Sequence, residues 1–105
     1  MTVSANPAAL TVGTQPKLSV ITVTLPGNVS QQTQVVWSVS SSDTAVATAD
    51  YTGSASGDKV PGGTLTHAIR VTKVAAGTAT VTVTVKVGIA PNFETKTATI
   101  AVTVT

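Results

Sequence analysis

Apolar and polar residues alternate one by one through most of the chain, most clearly in its last third. Val81, Val83, Val85 and Val87 alternate with Thr80, Thr82, Thr84 and Lys86, and Ala98, Ile100, Val102 and Val104 alternate with Thr97, Thr99, Ala101 and Thr103. A period of two puts successive side chains on opposite faces of an extended strand. The i, i+3, i+4, i+7 spacing of an amphipathic helix is absent there. The pattern predicts strands over 78–87 and 94–104, each with a valine-rich face turned inward and a hydroxyl-rich face turned outward.

The same reading extends upstream. A first strand over 2–5 breaks at Asn6-Pro7, and a second piece over 8–12 ends at Gly13. Over 17–25, Leu18 and Val20 share one parity while Ile21, Val23 and Leu25 share the other, which predicts a bulge. Pro26-Gly27-Asn28 makes a turn before a strand over 33–40, where Val35, Trp37 and Val39 lie on one face. Ser41-Ser42-Asp43 turns again into a short strand, Ala45–Ala49. Residues 50–66 are rich in Gly and Ser and read as a long loop or loose hairpin, followed by a strand over 67–74 carrying Ile69 and Val71. Turns at Ala76-Gly77 and Gly88–Asn92 separate the last two strands. About seven to nine short strands with regular turns predict an all-β, two-sheet antiparallel sandwich, one domain over 1–105. Its core is expected to contain Leu18, Val20, Trp37, Val46, Val81, Val83, Ile100 and Val102, with Trp37 the largest element.

Composition agrees and narrows the function classes. Apolar residues make up 42% of the chain and charged residues 10%, against about 25% charged in ordinary globular chains. Threonine fills the polar positions, and Val and Thr both branch at Cβ, which suits a pleated surface. The six cations, Lys17, Lys59, Arg70, Lys73, Lys86 and Lys96, are scattered, so the net charge of +2 makes no basic patch. Nucleic-acid binding needs clustered cations with stacking aromatics and is not expected. With no cysteine there is no disulfide and no thiolate metal site. No apolar stretch approaches a membrane span, and residues 1–7 lack the basic and apolar regions of a signal peptide. That leaves a protein held in the cytoplasm until assembly or lysis, or a module of a longer exported chain.

Several pieces together resemble the bacterial immunoglobulin-like group 2 (BIG2-type) domain. They are Val3, Pro7 and Leu10-Thr11-Val12-Gly13; Val36-Trp37-Ser38 and Ser42-Asp43-Thr44-Ala45-Val46-Ala47-Thr48; Gly77-Thr78-Ala79-Thr80-Val81-Thr82-Val83; and the alternating Thr99–Val104 segment. The resemblance covers most of the chain and departs from the family's pattern at 50–66, which is longer than usual there. It implies an immunoglobulin-like sandwich and no catalytic residues. Such domains occur as decorations on phage capsids and tails and as stalk modules of bacterial adhesins. The leading expectation is therefore a non-catalytic structural protein of a bacteriophage virion that attaches to a capsid or tail protein. The alternative is a spacer or adhesion module at the bacterial cell surface, in contact with neighbouring domains and with cell-surface glycans as possible ligands.

No cofactor and no metal are expected. His67, the only histidine, reads as a strand-end residue in contact with solvent, since no carboxylate is spaced to partner it. Asp43 reads as a turn residue bonded to its own backbone. Asp50 and Asp58 flank a Gly-rich loop without the close oxygen spacing of a calcium site. Asn28-Val29-Ser30 matches a short glycosylation sequon. The candidate interaction residues are Tyr51, Lys59, Val60 and Pro61 in the long loop, where one tyrosine stands among small polar residues, and Phe93 beside Pro91-Asn92 at the last turn.

Overall fold

The computed structural model describes all 105 residues, and every element in it is a strand. In chain order these are β1 (Thr2–Asn6), β2 (Ala9–Val12), β3 (Lys17–Thr24), β4 (Gln34–Ser41), β5 (Ala47–Gly57), β6 (Thr64–Lys73), β7 (Gly77–Ile89) and β8 (Asn92–Val104). They form two four-stranded sheets, ordered β1-β3-β6-β5 and β2-β8-β7-β4. The fold is thus the expected immunoglobulin-like sandwich, with one departure from an all-antiparallel plan: β2 runs parallel to β8.

The alternating sequence explains the core directly. Val81, Val83, Val85 and Val87 of β7 and Ile100, Val102 and Val104 of β8 lie on the inner face of the paired strands, with Val81 directly opposite Ile100, and all seven are buried. The opposite sheet contributes Ile21 and Val23 from β3 and Leu65, Ile69 and Val71 from β6. These β-branched side chains fill the gap between the two inner faces, the main stabilising contact of a sandwich. The first strand changes sheets midway. β1 pairs with β3, the chain turns through Pro7 and Ala8, and β2 then joins β8 in the other sheet.

Three expectations are corrected. Leu18 and Val20 are not core residues: they are 52% and 42% exposed. The β3–β6 register runs without a break from Lys17↔Val71 to Thr24↔Thr64, so there is no bulge to bring both parities inside. The inward position between them is held by Ser19, fully buried, whose Oγ donates to the Pro7 carbonyl at 2.8 Å. A polar group sits there because a backbone carbonyl of the crossing segment needs a donor. Of the two readings of residues 50–66, long loop or loose hairpin, the hairpin holds: β5 continues to Gly57 and pairs with β6, leaving only 58–63 outside strands. The pairing slips between Thr52 and Ser56, and this bulge absorbs the extra length that sequence patterning reads as irregular. Finally, Val46 and Trp37 are partly buried residues packed against the core cluster rather than members of it.

Candidate functional site

Inward residues of β4 and β5, the outermost strands on one side of the sandwich, meet where the two sheets open to solvent. Trp37 lies on β4 opposite Val85, so the valine below it sets its inward direction. Tyr51 lies on β5 opposite Ile69, and His67 shares the inward parity of Leu65, Ile69 and Val71 on β6. Their rings form one cluster. Tyr51 stacks on His67 with centroids 4.4 Å apart and 24° between planes. Trp37 meets both edge-on, at 5.8 Å and 75° to Tyr51 and 5.1 Å and 89° to His67. Offset-stacked and edge-to-face pairs are the favoured aromatic geometries.

Hydrogen bonds fasten this cluster. The Tyr51 hydroxyl donates to the Ser38 carbonyl at 2.9 Å, which ties an edge strand of one sheet to an edge strand of the other. Burial pushes the Tyr51 phenol up to about 12. His67 Nε2 lies 3.2 Å from the Gly53 carbonyl in the bulge; a carbonyl only accepts, so Nε2 carries the proton. Nδ1 is buried and has no hydrogen-bond partner. His67 is therefore a mid-strand, inward-facing residue and not the solvent-contacting strand end that the sequence suggests. Tyr51 likewise belongs to the wall of the sandwich and not to an exposed loop. The signal for the cluster was available in Trp37 and Tyr51 being the only large rings in the central part of the chain, but their contact depends on how far β5 extends.

The remaining candidate interaction residues gather at one pole. Lys59, Val60 and Pro61 are exposed at the tip of the β5–β6 hairpin. That tip is held beside the segment after β3 by bonds from Leu25 N to the Gly63 carbonyl at 2.8 Å and from Gly62 N to the Pro26 carbonyl at 3.2 Å. On the other side of this segment, Phe93 borders a cleft of about 590 Å³ between Asn28–Thr33 and the tip of the β7–β8 hairpin. Val29, Thr33 and Val87 are its buried floor; Asn28, Asn92 and Glu94 bring polar groups to its walls. Glu94 also lies 3.5 Å from the amino group of Met1. The structure thus brings Lys59, Val60, Pro61 and Phe93 to the pole where the chain begins and places Tyr51 away from them.

The acidic residues stay apart. Asp43 Oδ1 accepts the N–H of Ala45 at 3.0 Å, the turn role expected of it. Asp50 lies within β5 opposite Arg70, whereas Asp58 follows the end of that strand. No three His, Asp or Glu side chains come together as a metal-binding group.

The two chain ends leave from opposite poles. Met1 sits beside Glu94 near the start of β8, and Thr105 follows the end of β8, its N–H bonded to the Val12 carbonyl at 3.0 Å. Eleven residue steps along the strand (105 − 94) separate them, roughly 35 Å at about 3.3 Å per residue. That is most of the long dimension of the 43 × 23 × 18 Å body.

No family model matches the chain, and no curated protein matches it. Among solved structures it is similar to the surface layer protein SbsC, domains 1-6, with 21% identity and a TM-score of 0.61. The likeness covers 99% of this chain and 12% of that one, so the chain spans about an eighth of the surface layer protein's length. At that identity the likeness is one of fold.

Proposed function

We propose that the chain is a non-catalytic structural module of a bacterial cell-surface protein, of the BIG2-type immunoglobulin-like class, joined end to end with neighbouring modules. The observation that carries this reading is its likeness, over nearly its whole length, to a small fraction of a surface layer protein composed of several domains. Two geometric features support it. The ends leave from opposite poles of an elongated body, which suits a bead on a string. The exposed Lys59, Val60 and Pro61, with the partly buried Phe93, lie at the entry pole, where a preceding module would touch. Attachment to a phage capsid or tail has no comparable support in the fold or the comparisons, and the cell surface replaces it as the leading location.

The test is immunogold labelling with antibodies to this chain, applied to intact cells of the source organism, to purified envelopes and to any phage released on induction. Label on intact cells and envelopes is expected. Label confined to phage particles or to the cell interior would overturn the reading.

A further inference from the structure

We propose that the parallel β2–β8 ladder, with the Ser19 latch above it, is a shear clamp through which this domain carries tension from one end to the other. Its use in a cell-surface array rests on the reading above; its mechanics rest on the fold alone.

Tension applied at Met1 draws β1 toward the entry pole, along the direction of the strand. β1 is held there by antiparallel pairing to β3, from Thr2↔Thr24 to Asn6↔Val20. The pull then passes through Pro7 and Ala8 into β2. Tension applied at Thr105 enters β8 directly and draws it toward the other pole. β2 and β8 are adjacent and parallel, paired from Ala9↔Ala101 to Val12↔Val104. The two pulls therefore drive neighbouring strands past one another along their length. Inter-strand hydrogen bonds lie across that direction, so they are loaded together and not one after another.

Three local features strengthen this contact. The ladder is closed at both ends by backbone bonds, Ala101 N to the Ala8 carbonyl at 2.9 Å and Thr105 N to the Val12 carbonyl at 3.0 Å. Leu10, Val12, Val102 and Val104 are buried beneath it, so water cannot reach the bonds from the core side. Ser19, fully buried, donates to the Pro7 carbonyl at 2.8 Å and pins the point where the pull crosses from one sheet to the other. The bond that satisfies the Pro7 carbonyl also ties the crossing segment to β3, so the same hydroxyl resists displacement of the crossing under load.

Single-molecule force spectroscopy on the isolated chain separates shear from peeling without altering the ladder. The chain has no cysteine, so introduced thiols give unique handles. In one geometry the chain is pulled through its two termini. In the other it is pulled between Gln15→Cys, at an exposed position just after β2, and a cysteine appended after Thr105, which opens the ladder from its Val12 end one rung at a time. Resistance to forced unfolding follows the unfolding barrier along the pulled direction, so at equal speed the terminal geometry is expected to need at least about twice the force of the peeling geometry. Ser19→Ala should lower the terminal force and leave the peeling force unchanged. Equal forces in the two geometries, or a lower terminal force, would overturn the clamp. The geometry comparison needs only the unaltered core and so stands whether or not the Ser19 variant folds. A strong clamp in a chain that never labels the cell surface would refute the proposed location but not the mechanics; surface label with a weak terminal geometry would do the reverse.

Discussion

Removing the indole of Trp37 tests whether the aromatic cluster holds the open side of the sandwich shut. Trp37 is the largest side chain packed against the core, and it bridges two sheets that have no hydrogen bonds between their backbones at that point. A tryptophan buries up to roughly 250 Å², and a mostly buried one at a sheet edge about 150 Å², worth about 4 kcal/mol at ~25 cal/mol per Å². Each of its two edge-on contacts adds about 0.5–1.5 kcal/mol. Water can enter the vacated edge position, so the penalty for an empty cavity is smaller than in a sealed core. The net expectation for Trp37→Ala is a loss of about 3–5 kcal/mol, a large share of the roughly 5–15 kcal/mol that holds a typical domain together. Thermal unfolding followed by far-ultraviolet circular dichroism should show a melting temperature lower by about 15–25 °C. Urea denaturation supplies the free energy itself, and pairing Trp37→Ala with Tyr51→Ala in a double-mutant cycle should give a coupling of about 0.5–1.5 kcal/mol. A loss below about 1 kcal/mol for Trp37→Ala, or a coupling near zero, would refute the view that these rings fasten one sheet to the other.

Other substitutions test the register and the turns. Leu18→Thr and Val20→Thr should each stay within about 0.5 kcal/mol of wild type in urea denaturation, because both side chains point to solvent; a loss of 2 kcal/mol or more would return them to the core. Gly57 has φ +121°, and a Cβ there would collide with the Thr64 carbonyl oxygen across the hairpin. Gly57→Ala should therefore cost more than about 2 kcal/mol, measured the same way, and a neutral result would mean that the hairpin does not close as described. Tyr51 is the only tyrosine, and burial pushes its phenol up from the ordinary 10.0 to about 12. The folded chain thus retains a proton that the unfolded chain gives up, so this group's contribution to stability is full below pH 10 and is lost as pH rises toward about 12. Tyrosinate absorbance in the native state should rise only near that upper value, and titration at the ordinary tyrosine value without unfolding would contradict the buried position.

Much of the sandwich was legible because its strands alternate so regularly. The spans expected for β1, β2, β3, β4, β7 and β8 each fall within about two residues of the observed ends. The failures share a cause. Over β3 both parities are apolar, so the pattern alone does not say which faces inward, and the larger Leu18 looks like the better core residue. Between Thr52 and Gly57 the side chains are small and polar, without alternation, and a strand whose pairing is set by its neighbour looks like a loop. His67 had no sequence partner because its partners, Trp37 and Tyr51, come from other strands.

By itself the order of residues determined that this chain forms strands, where most of them turn, and that the interior is built from Val, Ile and Leu. Those outcomes follow from local sterics at Cβ and from the two-residue repeat, which act over a few positions. Only the tertiary structure decided that Ser19 lies inside while Leu18 and Val20 lie outside, that the chain leaves the sheet of β1 so that β2 runs parallel to β8, and that three rings from three strands close one edge. Each of these depends on which distant segment lies opposite, and a strand's choice of partner and register is settled by burial of the whole sheet face rather than by any stretch read alone.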